Sequence, residues 1–120
     1  MSRLFDIDNV VADKNNNRFR FKVPIKARLF SQEKLEHFRN GLDPRKYGSL
    51  RSVLGTIIYS PEFEQYLGKV FEFKDYIIGG GYRSGHPAGR YFNSDQFPRY
   101  RIFEATLEPV GLIEDELFEI

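Results

Sequence analysis

The chain has 120 residues, 41% of them hydrophobic and 16% aromatic, which supports a packed core and excludes a disordered chain. It has no cysteine, which excludes disulfides, thiolate metal sites and a cysteine nucleophile, and favours a cytoplasmic location. The net charge of +1 divides into a basic body, residues 1–101 with a balance of +7 (18 − 11), and an acidic end, residues 102–120 with −6 (0 − 6).

The length and the apolar pattern predict a single domain over residues 1–120, outside the membrane. No stretch approaches the roughly 18 apolar residues that a membrane helix needs. The first eight residues lack the apolar run of a signal peptide, because acids interrupt it.

Residues 3–12 are predicted as a first strand, which an Asn-rich turn connects to a second strand at residues 18–29. In this second strand every odd position is apolar and every even position except Pro24 is a cation. Since successive strand side chains point to opposite faces, one face is apolar and the other is cationic. Pro24 cannot donate to a sheet, which predicts an edge strand or a bulge. The cations are Arg18, Arg20, Lys22, Lys26 and Arg28.

Three capped starts predict that the middle of the chain is helical. The first helix begins after Ser31 and ends at Gly41, the second begins at Asp43-Pro44, and the third begins at Ser60-Pro61 and ends at Gly68. The second helix has the apolar stripe of a core-facing helix, at Leu50, Val53, Leu54, Ile57 and Ile58.

Two further strands are predicted, at 69–78 and 99–108, with a long loop at 79–98 between them that holds five of the ten glycines. An acidic segment, 109–120, follows. Strands at both ends of a helical block predict an α+β fold, in which a mainly antiparallel sheet carries the helices on one face.

The cationic strand needs acidic partners, and three sources are open. Glu72, Glu104 and Glu108 on the neighbouring strands are one, since opposite charges commonly pair across a sheet. The acidic C-terminal segment is the second. The third is an external polyanion, above all nucleic acid, whose phosphates are the usual partners of clustered Lys and Arg.

The 79–98 loop and the strand after it combine arginine, tyrosine and glycine. Arginines hold phosphates while aromatic rings stack on bases, which is typical of single-stranded nucleic-acid binding. Tyr and Arg are also favoured at protein–protein interfaces, so a protein partner stays open. The glycines match no phosphate-binding template completely. The candidate binding residues here are Tyr82, Arg83, Arg90, Tyr91, Arg99 and Arg101.

Only two histidines are present, and the sequence predicts no metal site and no cofactor. His86, among several arginines, has the chemistry of a base for phosphodiester cleavage, but the sequence identifies no second acid/base group.

The segment 4–13 contains Asp6-x-Asp8 after apolar residues and resembles the first motif of haloacid-dehalogenase-type phosphatases. The resemblance implies Asp6 as nucleophile, Asp8 as acid/base, Mg²⁺ between them and a parallel sheet, with Ser60 as a phosphate ligand. The acidic pair that holds the metal in that family has no counterpart after residue 69.

The sequence as a whole predicts a small non-enzymatic protein that binds an anionic partner, nucleic acid first, through the cationic strand and the Arg/aromatic loop. The alternative is a protein-interaction factor, such as an inhibitor or adaptor of the phage or mobile-element kind. A Mg²⁺-dependent phosphatase and a His-dependent ribonuclease are the enzymatic alternatives.

Overall fold

A computed structural model describes residues 4–13, 17–81, 86–97 and 99–110. It confirms the α+β prediction, because these residues form a six-stranded antiparallel sheet with three helices packed against it. The strands are β1 (Val10–Asp13), β2 (Arg18–Leu29), β3 (Val70–Gly81), β4 (His86–Asn93), β5 (Ile102–Phe103) and β6 (Leu107–Pro109). The helices are α1 (Gln32–Asn40), α2 (Gly48–Tyr59) and α3 (Pro61–Glu64). None of the helices in these ranges has the length and apolar character needed to cross a membrane.

The strand order is open, and the connection after β5 links its two sides. The order is β1-β2-β3-β4-β5, and β6 pairs with β2. A 3₁₀ turn, Glu104–Thr106, connects β5 to β6. Because β6 then pairs with β2 through Leu29↔Leu107 and Ala27↔Pro109, the chain returns from one side of the sheet to the other. The last eight described residues therefore close the fold.

Aromatic rings dominate the core. Phe73 and Phe92 are fully buried, and their rings meet edge to face with centroids 5.7 Å apart. Tyr76 stacks on Phe92 at 5.4 Å, and Phe5 packs against both of these rings from the N-terminal segment. Offset and edge-to-face contacts of this kind each contribute about 0.5–1.5 kcal/mol beyond the area they bury. Leu35 of α1 and Leu54 of α2 join the same core and are fully buried.

The strand β2 has the predicted bounds and contains a bulge rather than lying at an edge. It pairs with β3 along one side and with β1 and β6 along the other. The register moves from Arg20↔Asp75 to Ile25↔Phe73, so β2 advances five residues while β3 advances two. Pro24 lies inside this shift, where its missing N–H costs no ladder hydrogen bond.

Two of the three helix starts are confirmed and one is wrong. The Ser31 hydroxyl accepts a hydrogen bond from the Lys34 N–H, and α3 begins with Pro61 after Ser60. The second helix begins at Gly48 and not at Asp43-Pro44. The Asp43 carboxylate accepts from the Arg45 N–H, so it caps a separate turn before the helix.

Three strand predictions need correction. Before β1, residues Ile7–Asn9 form a 3₁₀ turn, so the first strand covers only part of 3–12. The 79–98 loop is largely a hairpin, since β3 continues to Gly81 and β4 begins at His86; glycines can take positive φ without leaving the ladder. The strand predicted at 99–108 is divided by the 3₁₀ turn into β5 and β6. Most of the acidic segment, 111–120, lies outside the described residues.

Candidate functional site

Four cations of β2 form one exposed surface, which we call the cationic face. Their side chains have no ion pair within 4.0 Å in the described part of the chain. They alternate with core residues such as Phe19 and Phe21, which fix the strand and turn the cations outward. The members of the cationic face are Arg18, Arg20, Lys22 and Lys26.

The fifth cation of the predicted set, Arg28, is neutralised internally. Its Nε lies 3.8 Å from Glu108 Oε1, and its Nη1 donates to the Gly68 carbonyl at 3.4 Å. Glu108 also binds the ammonium of Lys34 in α1. Cross-strand pairing therefore accounts for one end of β2 only.

Three other acids lie opposite members of the cationic face in the sheet. The sheet register places Glu72 opposite Lys26 and Asp13 opposite Arg18. Asp75 lies opposite Arg20 and is buried, and its Oδ1 has no hydrogen-bond partner among the described residues. Exposed charge pairs contribute about 0–1 kcal/mol, so the exposed Glu72 leaves Lys26 available to a stronger anion.

Lys74 on β3 extends the positive surface but already has a partner. Its Nζ lies 2.5 Å from Asp95 Oδ1. The hydrogen bond and the charge of Asp95 raise the pKa of Lys74, while the positive charge of Arg18 opposes the rise.

Two residues of the predicted loop site are part of the fold. Arg90 Nη1 lies 3.0 Å from Glu104 Oε2, and its guanidinium lies over the Phe5 ring at 5.4 Å. Tyr91 donates its hydroxyl proton to the Pro87 carbonyl at 2.6 Å and packs on Phe103. Burial raises the pKa of Tyr91. Tyr82 and Arg83 lie outside the described residues.

A cavity of about 320 Å³ lies where α2 and α3 meet β4 and β5, and we call it the aromatic cavity. Four rings line it: Phe63, Tyr91, Tyr100 and Phe103. Its other apolar lining residues are Leu29, Val53, Ile57 and Ile102. Its polar lining residues are Thr56, Glu62, His86 and Arg101.

Tyr100 separates the aromatic cavity from a second hollow of about 310 Å³ that Arg99 lines. The Tyr100 hydroxyl donates to Glu62 Oε1 at 2.7 Å, so this bond bridges α3 and the segment before β5. Glu62 lines both hollows. Sequence reasoning missed the pairing of Glu62 with Tyr100, because the two residues are 38 positions apart and no local pattern joins them.

The acidic pair behind the phosphatase resemblance has a local structural role. Asp6 Oδ1 accepts the Asp8 N–H at 3.0 Å and caps the 3₁₀ turn that precedes β1. Asp6 thus comes before a strand, whereas the resemblance places it at the end of one, and every strand pairing among the described residues is antiparallel. In these residues no three His, Cys, Asp or Glu side chains are grouped so as to hold a metal ion.

No protein-family profile, curated protein or solved structure matches the chain. Function is therefore inferred from two surface features, the cationic face and the aromatic cavity. The cationic face presents four cations without an ion pair among the described residues, and the aromatic cavity is lined by four rings, the Glu62 carboxylate and Arg101.

Proposed function

We propose that the protein binds nucleic acid through the cationic face. The observation that carries the proposal is the exposure of four cations on β2 without an ion pair within 4.0 Å among the described residues. Arg18 and Arg20 lie two residues apart in the regular part of the strand, so their Cα atoms are about 6.6 Å apart, and Lys22 follows them in the bulge. A row of this kind suits the repeating charge of a phosphate backbone.

Two of the acids predicted to neutralise β2 pair with cations outside the cationic face. Glu104 and Glu108 are committed to Arg90, Arg28 and Lys34. A bound polyanion releases counterions for each phosphate that is neutralised, which makes the binding favourable and strongly dependent on salt. The contacts go to the backbone, so we expect little dependence on base sequence from this face.

The test is the salt dependence of oligonucleotide binding in an Arg20→Gln/Lys22→Gln variant. Glutamine removes two charges without placing a new acid beside the buried Asp75. For single-stranded DNA, losing two phosphate contacts should reduce the slope of log K against log salt by about 1.4. Fluorescence anisotropy of a labelled oligonucleotide across a salt series measures this slope.

The matched control is Arg45→Gln/Lys46→Gln, which removes the same charge from the turn before α2. Its slope should stay close to that of the wild type, and circular dichroism should show all three proteins folded. Equal slopes in the two double variants, or no oligonucleotide binding at low salt, would contradict the proposal.

A protein partner is the second candidate, because apolar side chains are exposed beside the cations. Val23 is 67% exposed next to Lys22, and Ile7 is 63% exposed two residues before Asn9, whose side chain bonds to the Val23 backbone. An inhibitor or adaptor would use both kinds of group. This candidate is favoured if the protein retains one partner from nuclease-treated lysate, keeps it at high salt and loses it in the Val23→Ser variant.

A further inference from the structure

We propose that the aromatic cavity binds a purine nucleotide, with guanine preferred, placing the base among the rings and the phosphate at Arg99 and Arg101. This site is separate from the cationic face and does not depend on it. The nucleotide is either free or part of a single strand.

The four aromatic residues of the lining make the cavity suitable for a flat heteroaromatic group. Tyr91 and Phe103 form one tilted pair and Phe63 and Tyr100 another, each with centroids 5.0 Å apart. Bases stack on such rings whatever their sequence. A cavity of about 320 Å³ is at the small end of ligand sites, which suits one base better than a larger ligand.

The carboxylate of Glu62 provides the basis for choosing guanine. An ionised carboxylate only accepts hydrogen bonds, and one of its oxygens already accepts from Tyr100. The Watson–Crick edge of guanine offers two adjacent N–H donors, whereas that of adenine presents a donor beside an acceptor. Adenine would therefore set a lone pair against Glu62.

Tyr100 keeps its proton at neutral pH and holds the carboxylate in place. The hydrogen bond to Glu62 is the main reason that the pKa of Tyr100 is raised, and the positive charge of Arg99 opposes the rise more weakly. Arg99 lines the second hollow together with Tyr100 and Glu62, which places it at the same rim.

The two arginines supply the charge that a phosphate needs. Arg99 and Arg101 flank Tyr100 in sequence, and both side chains are exposed. Neither has an ion pair within 4.0 Å in the described ranges. Arg99 lines one hollow and Arg101 the other, so both arginines lie near the wall formed by Tyr100.

The experiment titrates the full chain with 5′-GMP, 5′-AMP, guanosine and inorganic phosphate, following tyrosine fluorescence and the amide NMR spectrum. We expect saturable GMP binding at least ten-fold tighter than AMP binding, with shifts confined to cavity residues. Guanosine should bind more weakly than GMP, and phosphate alone should not produce the same shifts. Absence of saturable GMP binding, or equal affinity for GMP and AMP, overturns the proposal.

The key variant is Glu62→Gln, with Glu64→Gln as its matched control on the same short helix, outside the cavity lining. Glu62→Gln should reduce the preference for GMP over AMP at least ten-fold, while Glu64→Gln should leave it unchanged. Arg99→Gln/Arg101→Gln should weaken GMP but not guanosine. Equal behaviour of the two glutamate variants overturns the role of Glu62 even if GMP binds.

The source of the nucleotide is decided by comparing GMP with a guanine-containing single-stranded oligonucleotide. If the oligonucleotide binds more tightly than GMP and Glu62→Gln weakens that binding, the cavity takes a base from a single strand. If only GMP binds, the cavity takes a free nucleotide. The Arg20→Gln/Lys22→Gln variant should retain GMP binding. If the Arg20→Gln/Lys22→Gln variant shows the wild-type salt slope while GMP still binds, only the proposed function is refuted. If the salt slope falls as expected but GMP does not bind, only the cavity proposal is refuted.

Discussion

Gly80 lies near the end of β3 with a φ of +76°, a conformation that glycine adopts freely and other residues rarely do. A Cβ built at this position would lie 2.0 Å from the Pro87 carbonyl oxygen and 2.6 Å from its carbon. These atoms belong to the backbone of the facing strand, so they cannot rotate away. The close approach of two strands, and not loop flexibility, explains the glycine.

We predict that Gly80→Ala lowers the free energy of unfolding by at least about 2 kcal/mol, since left-handed strain alone costs about 1–3 kcal/mol for a non-glycine residue and the contact adds to it. Gly48→Ala is the control, because nothing lies within 4 Å of its added Cβ at the start of α2. That variant should be neutral or slightly stabilising. Urea denaturation measures both, and similar midpoints would contradict the account.

At the scale of single elements, the bulge in β2 is the least regular feature and a side chain completes it. Asn9 Nδ2 donates to the Val23 carbonyl at 2.7 Å, and Asn9 Oδ1 accepts from the Val23 N–H at 2.9 Å. Here neither β1 nor β6 pairs with β2, so the amide takes the place of a strand neighbour.

We predict that Asn9→Ala lowers the free energy of unfolding by about 1–2 kcal/mol, because two hydrogen bonds of about 0.5–1.5 kcal/mol each are lost while water partly replaces them. Asn9→Asp keeps the acceptor for the Val23 N–H but sets a carboxylate oxygen against the Val23 carbonyl, so its loss should be at least as large. Asn40→Ala, at the exposed end of α1, serves as the control. Chemical denaturation measures the free energy of unfolding, and the Val23 amide should exchange faster in Asn9→Ala than in the wild type. A denaturation midpoint of Asn9→Ala equal to that of Asn40→Ala would refute the prediction.

Local patterns predicted the elements better than their interruptions. The period of two in β2 gave its bounds to the residue, and Ser31 and Ser60 gave two helix starts. Asp43 misplaced the start of α2, since an Asp side chain caps an isolated turn as well as it caps a helix. The glycines at 79–81 led to the prediction of a loop. That prediction was wrong because positive φ and strand pairing are compatible at a bulge.

At the scale of the whole molecule, the sequence could not predict how distant segments meet. The cations of β2 were visible in the sequence, but their separation into a neutralised Arg28 and an exposed cationic face depends on β6, which brings Glu108 across. The aromatic cavity combines residues from Leu29 to Phe103, and no periodic pattern spans such distances. Long-range closure is therefore the part of the site that needed coordinates.

The closure itself rests on Thr106, which is fully buried in the turn between β5 and β6. Its Oγ1 donates to the Phe103 carbonyl at 2.7 Å, and its own carbonyl accepts from the Phe30 N–H at 2.9 Å. The first bond shapes the turn, and the second fastens the turn beside the end of β2. We therefore expect a change in this turn to lower the stability of the pairing between β6 and β2 as well.

We predict that Thr106→Val lowers the free energy of unfolding by about 1–3 kcal/mol, because the side chain keeps its shape while the buried Phe103 carbonyl loses its donor. Thr106→Ser keeps the hydroxyl and loses one methyl group, worth about 0.8 kcal/mol. Native-state hydrogen exchange separates the two effects. The Phe30 amide should exchange faster in Thr106→Val than in Thr106→Ser, even where the two variants are compared at equal global stability. Equal protection of that amide in both variants would mean that β6 stays docked without the hydroxyl, and that the Phe30 bond alone holds the turn beside β2.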